Sequence, residues 1–128
     1  MNAFVKSADF QVSWGETRAV CITEIENATD SIASPSYPNY YPANLNYTWT
    51  ISQPRGCVVR LRFEDFQLES DKDFVHVYDG PATNENLMDT WTGTRLPSPR
   101  VSTGNSLTIK MLTDNTREFR GFYATYEA

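Results

Sequence analysis

The sequence predicts an all-β domain, an antiparallel β-sandwich or jelly roll. Short segments in which apolar and polar residues alternate recur at roughly ten-residue spacing. Turn signals that contain glycine or proline separate these segments. No stretch shows a sustained helical period. Together these observations are typical of a fold built from two packed sheets.

At 128 residues the chain has the length of one domain with a sizeable core. We predict an N-terminal extension over residues 1–20 and the domain itself over residues 21–128. Within the extension, residues 10–14 (FQVSW) alternate and are interpreted as an edge strand or as a linker from a preceding domain.

Period-two alternation predicts strands at 47–51, 59–63, 74–78, within 84–91, 107–111 and 122–126. Residues 21–33 are polar with scattered isoleucines, and no strand is predicted there. Two proline-rich segments, 34–42 and 96–99, are predicted to be ordered loops, because proline removes backbone donors.

The composition argues against nucleic-acid binding and against membrane insertion. Eleven basic and 16 acidic residues give a net charge of −5, which argues against a nucleic-acid surface and permits a cation or a basic partner. No apolar run approaches the roughly 18 residues of a membrane-spanning helix, so no membrane insertion is expected.

An acidic stretch lies between two predicted strands. Residues 64–73 contain five carboxylates, from Glu64 to Asp73. Such hard oxygen ligands suit Ca²⁺, which takes six to eight of them. The alternative is an acidic hairpin tip kept in water for solubility.

The only histidine, His76, lies within a predicted strand and is interpreted as structural. Because one histidine cannot build a multi-histidine zinc site, and because no nucleophile motif accompanies it, we expect no enzyme activity. Asn27 and Asn46 begin Asn-x-Thr sequons and are candidates for N-glycosylation, which favours an extracellular setting.

Several motifs, taken in order, resemble a CUB domain over residues 21–127. They are Cys21, SPSYPNYYP at 34–42, NYTW at 46–49, FEDFQLE at 63–69, DFVHVYDG at 73–80, STGNSLTI at 102–109 and GFYATY at 121–126. The resemblance implies a jelly-roll sandwich of two antiparallel sheets in an extracellular or secreted protein. It also implies a non-catalytic recognition module that binds other proteins.

The resemblance further implies a Ca²⁺ site at one end of the sandwich. Its ligands here would be Glu69, Asp73 and Asp114, with Asn115 and Thr116 beside them and the Tyr41 hydroxyl orienting a carboxylate. In this reading the ion orders the loops, and the carboxylates receive a Lys or Arg of the partner. The alternative is a structural spacer or a calcium-independent module that binds through a sheet face or through Tyr37, Tyr40 and Trp91.

The cysteines depart from the family pattern of two disulfides. Cys21 matches the first half-cystine, whereas the other three positions hold Tyr47, Ser70 and Thr92. Cys57 has no counterpart. We hypothesise a disulfide between Cys21 and Cys57, since a secreted domain rarely leaves two thiols free. Two buried thiols are the alternative.

Overall fold

A computed structural model describes residues 2–6 and 29–128 of the chain, with side chains from residue 30 onward. In order its elements are β1 (Asn2–Lys6), β2 (Thr29–Ala33), β3 (Asn46–Ser52), β4 (Arg60–Gln67), β5 (Phe74–Tyr78), a 3-10 turn (Asn84–Asn86), β6 (Leu87–Trp91), β7 (Arg100–Val101), β8 (Ser106–Leu112) and β9 (Gly121–Glu127). In this part of the chain, no helix has the length and apolar character needed to cross a membrane.

The strands form two sheets. The five-stranded sheet has the order β1-β3-β8-β5-β6, and the four-stranded sheet has the order β2-β9-β4-β7. Every strand pair is antiparallel except β1 with β3. The predicted fold class, an all-β sandwich of the jelly-roll type, is confirmed.

The core lies between the sheets because alternate side chains of each strand face inward. In β8 these are Leu107, Ile109 and Met111, all fully buried. An aromatic contact joins the sheets, where Trp49 of β3 meets Phe122 of β9 edge-on at 5.1 Å between ring centroids. Burying a large apolar side chain contributes about 1.5 to 3 kcal/mol, so each buried side chain between the sheets stabilises the fold.

The structure adds strands that the sequence did not predict. Residues 29–33 form β2, where the sequence predicts no strand, and the two-residue β7 follows the second proline-rich loop. Residues 2–6 form an edge strand, whereas the segment predicted at 10–14 lies outside the described residues. Cys57 is buried in the loop before β4.

Four connecting segments, those after β2, β4, β6 and β8, meet at one end of the sandwich. The Tyr41 N–H donates to the Phe119 carbonyl at 3.0 Å, and the Asn44 N–H donates to the Asp114 carbonyl at 2.9 Å. The Leu68 N–H donates to the Gly93 carbonyl at 2.9 Å, which brings the loop after β6 to the turn between β4 and β5. Backbone hydrogen bonds therefore hold together loops that are distant in sequence.

Gly121 lets β9 begin at this end. Its φ of +90° is in the left-handed region, and a Cβ there would lie 1.9 Å from Ser34 Oγ. The buried Ser34 hydroxyl accepts a hydrogen bond from the Phe122 N–H at 3.0 Å and donates to the Arg120 carbonyl at 3.3 Å. The close approach of backbone and hydroxyl fixes the segment that packs against Tyr41.

Candidate metal centre

Three carboxylates converge at the loop end of the sandwich. One oxygen each of Glu69, Asp73 and Asp114 lies within 4.8 Å of the others. Asp73 is fully buried, whereas Glu69 and Asp114 are half-buried. Two of these residues flank the turn between β4 and β5, and the third lies in the loop after β8. The structure thus brings together all three carboxylates that the resemblance implies as ligands.

A tight turn brings the first two carboxylates together. The Asp73 N–H donates to the Glu69 carbonyl at 3.1 Å, which closes the turn over four residues. Asp71 takes a φ of +63°, a left-handed conformation that aspartate tolerates better than most residues. The turn reverses the chain, so the short spacing between Glu69 and Asp73 does not separate their carboxylates.

Thr92 holds this turn from the loop after β6. Its hydroxyl oxygen lies 2.7 Å from the Asp73 carbonyl and 3.1 Å from the Glu69 carbonyl, and it accepts from the Asp71 N–H at 2.9 Å. Ser70 is adjacent, with its Oγ 3.6 Å from the place where a Cβ on Gly93 would stand. At Thr92, one of the positions where the family resemblance implies a half-cystine, hydrogen bonds therefore stabilise the turn.

Tyr41 supports the buried carboxylate. Its hydroxyl donates to Asp73 Oδ2 at 2.5 Å and accepts from the Glu69 N–H at 3.2 Å. Burial, and then the hydrogen bond to Asp73, raise the pKa of Tyr41 well above its ordinary value, so the hydroxyl keeps its proton. The sequence-based role of Tyr41, orienting a carboxylate, agrees with this geometry.

Asp73 is held on both oxygens. The Asp114 N–H donates to Asp73 Oδ1 at 3.0 Å, opposite the bond from Tyr41. Burial raises the pKa of Asp73, and the two hydrogen bonds offset this only in part. The carboxylate is therefore fixed in orientation yet costly to keep charged without a counter-ion.

Thr116 bridges the other two carboxylates. Its Oγ lies 3.0 Å from Glu69 Oε1 and 2.9 Å from Asp114 Oδ1, and its N–H donates to the same Asp114 oxygen at 3.0 Å. The Thr116 N–H is the main cause of a lowered pKa at Asp114, which favours the charged form. Asn115 is exposed beside them.

The donor chemistry fits Ca²⁺. Calcium binds oxygen at about 2.3 to 2.6 Å, so two ligands on opposite sides of one ion stand about 4.8 Å apart. The oxygens of Glu69, Asp73 and Asp114 lie within that span. Each carboxylate retains lone pairs beyond those used in hydrogen bonds, because an ionised carboxylate has about four acceptor sites.

The loop aromatics named as an alternative surface fall into two groups. Tyr37 stacks on Tyr123 at 5.8 Å and donates to Asp65 Oδ2 at 2.7 Å, and Trp91 packs edge-on against Phe63 at 5.1 Å. Both side chains are half-buried and packed against neighbouring residues. Tyr40, by contrast, is 66% exposed.

The remaining residues singled out from the sequence lie elsewhere. His76 stacks on Phe74 at 6.3 Å between ring centroids, and its Nδ1 lies 2.8 Å from Thr90 Oγ1. Asn46 is exposed at the start of β3, and Cys57 is buried. Cys21 and Asn27 lie outside the described residues, so the Cys21–Cys57 pairing and a glycan on Asn27 stay predictions.

The sequence draws attention to Thr92, but it does not predict the role that Thr92 has in the site. It was singled out as a missing half-cystine and not as a hydrogen-bonding residue. Its hydrogen bonds to the turn join residues that are far apart in the sequence. Thr92 and Glu69, for example, are separated by 23 positions. No local pattern could have revealed that contact.

A two-sheet β-sandwich that holds three carboxylates at one end defines a class of small recognition domains. The family model of the CUB domain matches residues 21–126, and the chain belongs to this family. Human Cubilin is 36% identical over 137 residues, which cover 98% of this chain and 4% of that protein. Mouse Procollagen C-endopeptidase enhancer 2 is 40% identical over 101 residues, covering 76% of this chain and 24% of that protein. The chain thus spans a small part of these relatives.

Solved structures show the same fold. The MASP-1 CUB2 domain bound to Ca²⁺ is 31% identical, with a TM-score of 0.70 over 78% of this chain and 92% of that chain. The full extracellular region of zebrafish Gpr126/Adgrg6 is 25% identical, with a TM-score of 0.73 over 98% of this chain and 14% of that chain.

Proposed function

We propose that this domain is an extracellular, non-catalytic module that binds a protein partner with the help of one Ca²⁺. The observation that carries the proposal is the convergence of Glu69, Asp73 and Asp114 within 4.8 Å. The similarity to a CUB domain whose structure contains Ca²⁺ supports it. The similarity to an extracellular region supports the setting.

Each residue of the site has a different role in binding the ion. Asp73, fixed on both oxygens, supplies a preorganised ligand from the buried side. Glu69 and Asp114 supply ligands from the half-buried side, while Thr116 sets their separation. Asn115 and Thr116 are further oxygen donors beside them. A bound Ca²⁺ supplies positive charge that cancels the mutual repulsion of the three carboxylates.

A basic group of the partner would approach the half-buried carboxylates. Glu69 and Asp114 keep acceptor sites toward solvent, and the chain as a whole carries a net charge of −5. A Lys ammonium or an Arg guanidinium satisfies such acceptors with charge-assisted hydrogen bonds. The ion contributes by keeping the carboxylates in place, so the partner meets an ordered site.

The proposed Cys21–Cys57 disulfide accords with this setting, because such bonds persist in extracellular proteins. Alkylation of the denatured, unreduced protein followed by mass measurement tests the pairing. No added alkyl group is expected, and two added groups would rule the disulfide out.

Calcium titration followed by calorimetry tests the metal site. We expect one Ca²⁺ per chain and a melting temperature that is higher in excess calcium than in EDTA. Asp114→Ala should abolish both effects. Asp71→Asn is the matched control, because Asp71 is an exposed carboxylate of the same turn outside the cluster. An unchanged melting temperature in the unaltered protein would refute the proposal.

A second candidate, calcium-independent binding through the loop aromatics, is favoured only by Tyr40, whose side chain is 66% exposed. A partner bound in this way should ignore EDTA and lose affinity on Tyr40→Ala. Tyr37 and Trp91, being packed, serve the fold in either case. If the partner no longer binds in EDTA, and if Tyr40→Ala binds it with unchanged affinity, calcium-independent binding through Tyr40 is excluded.

A further inference from the structure

The outer face of the five-stranded sheet carries a stripe of three aromatic rings along β5, of which the first two are stacked and the third is tilted. Phe74, His76 and Tyr78 alternate with the fully buried Val75 and Val77, so they face away from the core. Adjacent ring centroids of the stripe are 6.3 Å apart. All three side chains are half-buried, and their outward surfaces offer aromatic rings to whatever covers this sheet.

The sequon residue Asn46 stands in the same cross-strand row as the first ring. It pairs with Leu112 of β8, and Leu112 pairs with Phe74 of β5. Directly paired residues project to the same side of a sheet, so these three side chains share the outer face. Strands lie about 4.8 Å apart, which places Phe74 about 10 Å from Asn46 across the sheet.

Asn46 is accessible for modification. Its side chain is exposed, and it begins the sequon Asn46-Tyr47-Thr48. On its other side, the described residues of β1 pair with β3 from Thr48 to Ser52. In the direction of β8 and β5, an attached sugar meets an aromatic surface at the distance just derived.

We propose that Asn46 carries an N-linked glycan whose first sugars lie over Leu112 and stack on Phe74 and His76. The donor is a lipid diphosphate-linked oligosaccharide. The Asn46 amide nitrogen forms a bond to the anomeric carbon and loses a proton, the bond from that carbon to the phosphate breaks, and the lipid diphosphate leaves. This inference rests on the secretory setting of the proposed function and not on calcium.

The chemistry of both surfaces is complementary. The C–H groups on one face of a pyranose ring are partly positive, and the face of an aromatic ring is partly negative. The neighbouring row provides Thr48, Lys110, His76 and Thr90, whose polar groups can meet the sugar hydroxyls. The sheet face would be shielded, which leaves the loop end as the surface for a protein partner.

The test uses the full chain secreted from mammalian cells that add only high-mannose glycans. Peptide mapping by mass spectrometry should find Asn46 occupied. Endoglycosidase H then leaves a single N-acetylglucosamine on Asn46. In the folded protein its N-acetyl methyl proton signal should shift upfield relative to the same sample in urea, because the sugar lies over a ring.

Two variants make the test specific. Phe74→Leu keeps an apolar side chain and removes the ring, so the upfield shift should be lost. The trimmed glycoprotein should melt about 2 to 5 °C above Asn46→Gln, and in a Phe74→Leu background this difference should shrink. An unoccupied Asn46, or equal methyl shifts in folded and unfolded protein, would overturn the proposal. Secretion and calcium binding of the same sample would show that the proposed function stands apart from this result.

Discussion

At the scale of single residues, Tyr41 and Asp73 are the pair that joins the core to the proposed calcium site. Both are buried, and the hydroxyl of the tyrosine holds one carboxylate oxygen while an N–H holds the other. A buried carboxylate without such bonds would be costly. The pair is therefore a structural element of the domain and a preorganised ligand at the same time.

Tyr41→Phe should lower both stability and calcium affinity. The variant leaves Asp73 Oδ2 and the Glu69 N–H without their partner, which costs about 1 to 3 kcal/mol in the free energy of unfolding. Removing such a supporting group typically weakens metal affinity about 10- to 100-fold. Denaturant unfolding and calcium calorimetry measure the two effects.

Tyr40→Phe is the control for this comparison. Because Tyr40 is exposed, its variant should stay within about 0.5 kcal/mol of the unaltered protein. Equal stability of the two variants would contradict the role assigned to the Tyr41 hydroxyl.

His76 should make the domain less stable as the pH falls. Burial, and then the charge of Lys110, lower the pKa of His76 below its ordinary value of 6.5. A histidine with a lowered pKa in the folded state contributes stability that is present above the unfolded pKa and is lost as the pH decreases through it. Unfolding in denaturant at pH 7.5 and 5.5 measures the difference.

His76→Gln is the matched variant for the pH experiment. The raised pKa of Asp73 has the opposite effect on stability, and it is common to both proteins, so it cancels in the comparison. The variant should lose less stability between the two pH values than the unaltered protein. An identical loss would show that His76 does not titrate in this range.

At the scale of elements, strong alternation made the central strands predictable, and weak alternation hid the others. In β8 three fully buried residues alternate with polar ones, so the pattern is plain. In β2, Ile32 is the one residue that belongs to the buried core. The strand β7 has two residues, which are too few to show an alternation. Such strands form because a neighbour offers backbone hydrogen bonds, as β9 does for β2. A single sequence does not display those partners.

The turn at 69–73 shows where the site could be anticipated and where it could not. The carboxylates Glu69 and Asp73 are evident in the sequence, and the family resemblance pairs them with Asp114. The turn is short, yet it brings the carboxylates of Glu69 and Asp73 together. It does so because Asp71 takes a left-handed conformation and because the Thr92 hydroxyl holds the turn. These are tertiary details that no local pattern specifies.

A disulfide introduced at this turn should form readily. In Ser70→Cys/Thr92→Cys the two thiols stand on segments that are in contact. The Asp71 N–H donates to the Thr92 hydroxyl at 2.9 Å, and Ser70 Oγ lies 3.6 Å from a Cβ placed on Gly93. The bond would close a loop of 23 residues, from 70 to 92, which the chain-entropy model values at about 3 kcal/mol. Mass measurement after alkylation, and unfolding with and without reductant, check this expectation.

The control separates the new bond from the lost hydroxyls. Ser70→Ala/Thr92→Val removes the hydrogen bonds to the turn without a bridge, so it should be less stable than the unaltered protein. If the cysteine variant in reductant and in oxidant unfolds at the same denaturant concentration, the neighbouring placement is wrong.

At the scale of the whole molecule, the two sheets form a rigid frame with different functions at different surfaces. The loop end holds the proposed ion, and the outer face of the five-stranded sheet holds the proposed glycan. Calcium binding should therefore increase protection from hydrogen exchange in 40–45, 68–73 and 113–116 and leave β7 unchanged. Exchange measured by mass spectrometry in calcium and in EDTA tests this, with Asp114→Ala as the control that should show no change.

The ligands of the site are far apart along the chain. Glu69 and Asp114 are separated by 45 positions, and Tyr41 precedes Asp73 by 32. A chain that has formed only one sheet or one hairpin therefore cannot assemble the site, since closing such long loops is entropically unfavourable. Calcium would thus act after the main barrier to folding has been crossed. It would slow unfolding of the finished domain without speeding its formation, which makes the ion a source of kinetic stability.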